Sequence, residues 1–559
     1  MNVLTRPALY WRTARYLTPR QVAHQILRRL RPYHGAPLPK TGLAARAISG
    51  PVQFITAPLG TRGDPWNFRF LNVERAFADG SIDWVCADLP KLWRYNLHYF
   101  DYLCDSNRSA LHRAHLVDHW IQHNPPGTVD AWEPYTVSLR TTNWIKYFMP
   151  LPASNAPSTH WISSLWSQCA WLQLNVEYHV LANHLLKNAK ALLFAGSYFD
   201  GAVTDEWLRT GTDILINQLE DQLLADGGHF ERSSMYHAII VEDLLDLIAL
   251  DRAIPNVISP TLLEVLRSKA ITALAFLRDL TLPDGEIALF NDAARGIAAS
   301  TQRLFDYAAR LLGTQSTFVR SEGELIERSA SGYYGWCGPR DGWIIDCGPV
   351  GPDYQPGHAH CDTLSYELVF EGRRIVVDTG VYDYEPGERR QWSRSTAGHN
   401  TVMVDGVEQS EIWGVFRVAR RARPIEARLT NGLGKVSFVG GHDGYRRLSG
   451  SVVHRRSAEY APNSSLQVSD ELIGGGRHVM ENRVHIAPGL HISGQSRSLD
   501  IRNDSGALVA QLNVAEGPAM YVELAEQYPE FGRAERIEVV RLRSEGALPL
   551  QQQYRITRV

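Results

Sequence analysis

The alternation of apolar and polar positions divides the chain in two. From about Leu89 to Leu312 apolar residues recur every three to four positions. Leu208, Leu215, Leu219 and Leu223 mark one face, and comparable runs fill 156–180, 181–197, 236–253 and 258–279, separated by turns such as Asp226-Gly227-Gly228 and Pro283-Asp284-Gly285. That spacing predicts successive antiparallel helical hairpins, closed into a toroid or stacked into an open array, and no motif of fixed period marks a regular solenoid. After about Ser329 the pattern changes to short alternating segments, among them 343–347, 401–404 before Asp405-Gly406, and 435–439. Closely spaced strands with Gly, Asp and Asn turns predict a large antiparallel sheet assembly. The fold class is therefore α+β multidomain, helices first and sheet second, changing near 315–330.

The ends of this pattern set the remaining units. Residues 1–35 form a basic helical arm: Thr18 is a good N-cap, Pro19 suits the first helical position, and Val22, Ile26 and Leu30 recur every four residues, flanked by Arg20, Arg28, Arg29 and Arg31. Such an arm either makes peripheral contact with a membrane or partner, or packs on the main body with its arginines solvated, which is the commoner use. A Pro/Gly-rich stretch, roughly His34 to Asp64, then crosses to the next unit. The expected units are 1–35 (arm), 36–88 (linker and lead-in), 89–320 (helical) and 321–559 (sheet).

Composition narrows the picture. A chain of 559 residues is too long for one core. A net charge of −3 gives no global drive toward nucleic acid. With 15 Trp and 23 Tyr the chain has rings to spare for a sugar-binding cleft, although most serve the core. The six cysteines form no CxxC pair, the N-terminus lacks the continuous apolar core of a secretory signal, and no apolar run is long enough to span a bilayer, so a cytoplasmic protein is expected.

Candidate chemistry concentrates between Gly357 and Asn400. Leu364, Tyr366, Leu368 and Phe370 alternate with Thr363, Ser365 and Glu367 as in a half-buried strand, and Glu371-Gly372 turns the chain into the next, 374–377. His358 and His360, two residues apart on extended backbone, can face one site, with Asp378 and His399 arriving from neighbouring strands. This set suits zinc, acid/base work or a metal-free hydrogen-bond network. In the helical half, Asn183 and His184 lie on one helix, and Glu231, Arg232 and Tyr236 open another after a Gly-Gly turn; each is also an ordinary bundle residue. Trp132, Arg140, Asn143 and Trp144 combine stacking rings with a guanidinium, as a cleft for an acidic sugar needs, or as a buried helix start provides.

Six motifs in order carry a resemblance: Asn183-His184, ERSSMYH at Glu231 to His237, LPDGEIALFND at Leu282 to Asp292, GHAHCDTLSYEL at Gly357 to Leu368, VVDTGVYDY at Val376 to Tyr384, and STAGHNTVMVDG at Ser395 to Gly406. Over about residues 90 to 410 the chain resembles the heparinase II/III family of polysaccharide lyases. The resemblance implies an incomplete (α/α) toroid followed by an antiparallel β-sandwich domain, with an anionic polysaccharide bound between them and cut at a uronic acid by β-elimination. Asn183, or His184 beside it, would neutralise the uronate carboxylate; Tyr236 would be base or acid; and His358 would complete the acid/base set. A tyrosine base would need a cation nearby such as Arg232 or a metal. His360, Asp378 and His399 match a structural zinc site, while Glu231, Arg232, Tyr382 and Tyr384 lie near substrate.

Secreted members of that family carry a signal peptide that this chain lacks, and its arginine-rich start resembles members associated with bacterial exopolysaccharide production. A nascent or lipid-linked glycan near the inner membrane is then the expected substrate, with the arm contacting membrane or synthesis machinery. The alternative is a non-catalytic glycan-binding or assembly factor that keeps the fold. Hydrolysis by paired carboxylates is weaker, because Glu231, Glu286 and Asp292 are equal nominees.

Overall fold

The computed structural model describes residues 6–30, 33–37, 43–55, 66–105, 107–495 and 497–559. Residues 1–5, 31 and 32 of the arm, Arg31 among them, and 38–42 and 56–65 of the linker stretch lie outside these.

Two kinds of helix alternate along the first half. Pro134–Phe148, Ala182–Tyr198 and Ser234–Ala253 are buried almost all round, whereas Ala202–Gln222 and Pro260–Asp279 bury one side. A helix apolar on every side needs protein on every side. The first three accordingly form an inner row, each packed against the next, and Thr159–Leu174, Ala202–Gln222 and Pro260–Asp279 clad it from outside. Leu215, Leu219 and Leu223 are buried as their spacing predicts. Ser158, Ser233 and Ser259 each start a helix by accepting the N–H three residues on, from Trp161, Tyr236 and Leu262.

The second half is antiparallel. A five-stranded sheet runs in chain order through Glu324–Arg328, Tyr333–Cys337, Gly342–Asp346, Tyr366–Phe370 and Arg373–Val376. An eight-stranded sheet lies over it and over a four-stranded one, and Phe438, Tyr460, Val468 and Ile556 from the eight-stranded sheet meet Trp343, Tyr366 and Leu368 from the five-stranded sheet in one core. The strand Ser465–Ile473 of the large sheet alternates buried and half-buried residues, as a strand with one solvated face should.

Two expectations change here. The strand Tyr366–Phe370 is buried on both faces, because the five-stranded sheet is covered on its other side by Phe276, Leu280, Leu282 and Phe290 of the helical half. Its polar positions are satisfied internally: Glu367 accepts the Leu289 N–H at 2.8 Å and pairs with Arg374, which also reaches Asp284 at 2.7 Å. The arm also departs from the commoner pattern. Its second helix, Pro19–Leu30, does rest on the body, but through Gln21, while Val22, Ile26 and Leu30 stay exposed.

Candidate active site

The first turns of the inner helices deliver side chains to one place. Tyr135, Asn183 and Tyr236 are the second, second and third residues of their helices, and all line a cavity of about 690 Å³. His358, Tyr384 and Phe416 line it from the sheet half. Helix N-termini carry partial positive charge, so their convergence favours an anionic ligand.

Local backbone sets each group. The chain enters the helix Ala182–Tyr198 through Leu181 and Ala182 at φ 66° and 52°, where a residue with a Cβ is strained by roughly 1–2 kcal/mol. Asn183 follows directly, buried, with its Oδ1 in no hydrogen bond. His184 Nδ1 lies 3.2 Å from Glu177 Oε1, and its ring is 4.2 Å from that of Tyr135. Burial alone would lower the His184 pKa, but the Glu177 carboxylate raises it.

Across the cavity, Asp292 organises the sheet-side wall. Its Oδ2 lies 2.8 Å from His358 Nδ1 and accepts from Arg390 at 2.9 Å, while Oδ1 lies 2.8 Å from His360 Nε2. Burial opposes ionisation of Asp292, yet Arg390 and the two histidines hold its carboxyl well below the usual range. An ionised carboxylate only accepts, so Nδ1 of His358 carries the proton of this contact and Nε2 is the nitrogen that Asp292 leaves unengaged. That Nε2 lies 3.6 Å from Glu231 Oε2. Glu231 is buried with neither oxygen in a regular hydrogen bond, and burial raises its pKa.

The Tyr236 and His358 rings stand 4.1 Å apart, and the Tyr236 hydroxyl is 3.0 Å from that of Tyr384. Burial and Tyr384 push the Tyr236 pKa well above its ordinary value. The arginine proposed to activate it is turned away: Arg232 donates to the carbonyls of Ser331 at 3.0 Å and Phe230 at 2.9 Å. The Tyr236 hydroxyl therefore keeps its proton.

Asn183, His184, Tyr236, His358, Asn143, Glu231 and Tyr384 thus share the cavity, whereas other nominees do not. Trp132, Arg140 and Trp144 belong to the helical core. Arg140 is fully buried, 4.0 Å over Trp120, with Nε donating to Gln168 at 2.7 Å, and Trp132 and Trp144 pack on the same Trp120. Tyr382 lies outside the cavity wall, against Tyr528 and under Arg389.

A second cluster sits behind this wall. His360, Asp362 and His399 bring one donor atom each within 4.8 Å of one another, all buried. His360 Nδ1 and His399 Nε2 have no hydrogen-bond partner, while their other nitrogens are held by Asp292 and by Asp378 at 2.9 Å. Asp362 thus takes the position expected of Asp378, which instead holds the far side of His399. Two buried free imidazole nitrogens beside a carboxylate, each ring fixed by an outer carboxylate, fit a zinc ion. Sequence reasoning also missed the part of Asp292 in holding His358, and missed Arg390 and Asp362. Asp292 and Asp362 stand inside recognised motifs, but nothing in the neighbourhood of Arg390 marks it.

Comparison with known proteins agrees with this architecture. Residues 68–318 match the Heparinase II/III N-terminus family and residues 324–556 the Heparinase II/III-like, C-terminal family. A heparin-sulfate lyase of Bacteroides stercoris is 24% identical over 445 residues, covering 70% of this chain and 63% of that protein. One from Pedobacter heparinus is 25% identical over 392 residues, covering 64% and 55%. FtsZ-localized protein C of Caulobacter vibrioides is 28% identical over 390 residues, covering 66% and 63%. The chain thus spans less than two thirds of the length of these relatives. Heparinase III superposes with a TM-score of 0.67 at 18% identity, over 86% of this chain and 79% of that one. Chondroitinase AC lyase gives 0.51 at 8%, over 86% and 78%. The fold is an incomplete (α/α) toroid followed by an antiparallel β-sandwich domain.

Proposed function

The chain belongs to the heparinase II/III-like family, and from that premise we propose that it is a polysaccharide lyase that cleaves a uronate-containing anionic glycan by β-elimination. One observation carries this reading: Asn183 and Tyr236 from the helical half and His358 from the sheet half meet in one cavity, with the Tyr236 and His358 rings 4.1 Å apart.

The chemistry follows from the state of each group. The C5 proton of a uronate is weakly acidic, and its loss places charge on the neighbouring carboxylate. Asn183, with His184 beside it, would counter that charge at the positive ends of the inner helices. His358 takes the C5 proton on Nε2, and Asp292 stabilises the imidazolium that forms. Tyr236, held protonated, gives its proton to the leaving glycosidic oxygen; the C4–O bond breaks and a C4–C5 double bond remains. A zinc ion on His360, Asp362 and His399 would supply structural cross-linking of the wall that carries His358. As substrate we propose a bacterial exopolysaccharide, met in the cytoplasm.

The test is to offer the purified protein heparosan, hyaluronan, chondroitin, alginate and the host's own polymer and to follow ultraviolet absorbance of the unsaturated product. A rise on one of them is expected. No rise on any would support a second reading, a glycan-binding or assembly factor, which is favoured by one observation: the 28% identical Caulobacter relative is named for its localisation with FtsZ.

A further inference from the structure

The helix Pro19–Leu30 sits on the protein with its polar side inward. Gln21 is buried and donates through Nε2 to the Tyr354 carbonyl at 3.3 Å, the His24 ring lies 5.2 Å from that of Tyr178, and Arg28 lies over Tyr33. At helical spacing Pro19, Val22, Ala23, Ile26, Leu27 and Leu30 fall within one arc of about 140°. Every one is exposed, Ile26 by 54% and Leu30 by 74%. Arg20 and Arg29, also exposed, border the arc on its two sides.

The preceding helix, Arg6–Ala14, is built alike. Leu9 is buried, Arg12 pairs with Glu411 at 2.7 and 2.9 Å, and Trp413 donates to the Thr13 hydroxyl at 3.0 Å, yet Tyr10 and Trp11 are exposed, Trp11 by 71%. Residues 6–30 hold six arginines and no acidic residue in a chain whose net charge is −3. An apolar arc bordered by arginines, with aromatic rings on the neighbouring helix, matches the interface of an anionic bilayer in both polarity and charge.

We propose that these two helices dock the protein onto an anionic lipid surface, with Val22, Ile26, Leu27 and Leu30 entering the headgroup boundary and Arg20 and Arg29 meeting lipid phosphates. The dock is tied to the cleft, since Tyr354, which holds Gln21, immediately precedes Gln355 in the cavity wall. This inference stands apart from the lyase reading, because its readout is lipid binding.

The test is co-sedimentation of the full-length protein with vesicles of phosphatidylcholine alone and of phosphatidylcholine mixed with phosphatidylglycerol. Binding to the mixed vesicles is expected to be tighter by about tenfold or more, to weaken in high salt, and to be lost in Ile26→Glu/Leu30→Glu. Arg20→Glu/Arg29→Glu should weaken it, and the milder Ile26→Ser/Leu30→Ser pair, at exposed positions, keeps the test independent of folding. Absence of binding to the mixed vesicles, equal binding to neutral ones, or unchanged binding by both apolar variants would overturn the proposal. Self-association lost in Ile26→Glu/Leu30→Glu without lipid binding would overturn it in favour of a contact between copies.

Discussion

Asp292 and His358 meet at 2.8 Å, and this contact joins the two halves of the cleft: Asp292 lies in the loop between the helices Pro260–Asp279 and Thr301–Leu312, and His358 in the loop between the third and fourth strands of the five-stranded sheet. The same carboxylate neutralises Arg390, so its removal should have two separable effects. Asp292→Asn leaves Arg390 as a buried unpaired charge, expected to cost about 3–5 kcal/mol in urea unfolding. It also allows the wrong His358 tautomer, expected to lower kcat by roughly 10²–10⁴-fold with an altered pH profile. Loss of stability with an unchanged pH–rate profile would make Asp292 a structural residue only.

Tyr236 offers a cleaner separation. Tyr236→Phe keeps the ring against His358 and removes one hydroxyl, whose partner Tyr384 borders the cavity. Product formation should fall by about 10²–10⁴-fold while the melting temperature stays near that of wild type. Retained turnover would exclude Tyr236 as the proton donor.

How much of this was legible beforehand depends on what kind of physics decides each feature. Helices and strands announce themselves by period, and the order of helical and sheet halves followed from that alone. Which side of the Pro19–Leu30 helix turns inward did not, because amphipathicity defines two faces and only tertiary contact, here Gln21 with Tyr354, selects one. Trp132, Arg140 and Trp144 have the composition of a sugar platform, but the same residues serve a core when Gln168 and Trp120 are there to receive the guanidinium. Asn183, Tyr236 and His358 were singled out by motif, and the cavity unites them. The partners that hold His358 and Tyr236 were not readable, since Asp292 and Tyr384 lie far away in sequence.

The metal proposal turns on two carboxylates. If Asp362 is the ligand and Asp378 the outer support of His399, Asp362→Asn and His399→Ala should abolish bound zinc. Asp378→Asn should only weaken it, by about 10–100-fold. Metal content by mass spectrometry of the purified variants decides between them, and a chelator should lower the melting temperature of wild type. Wild-type zinc content in Asp362→Asn, with loss in Asp378→Asn, would reverse the two roles.

Behind the site, Asp470 supplies a pH-dependent support. It receives His454 Nε2 at 2.7 Å, Arg456 at 2.7 and 2.9 Å and the Asn482 amide at 2.6 Å, while Arg456 also donates to the carbonyls of Leu364 and Asn400, the latter next to His399, at 2.5 Å each. Burial would raise the Asp470 pKa, but Arg456 and His454 bring it down to about 2. A carboxyl depressed in the folded state stabilises above its unfolded pKa of 3.8 and loses that contribution as pH falls toward about 2. The contribution is roughly 2 kcal/mol at neutral pH. Asp470→Asn should be destabilised at neutral pH, with Arg456 left buried and unpaired, and the gap from wild type should narrow between about pH 4 and pH 2. Urea unfolding of the two proteins across that range measures the gap, and a gap that stays constant would show that the Asp470 charge contributes nothing to folding.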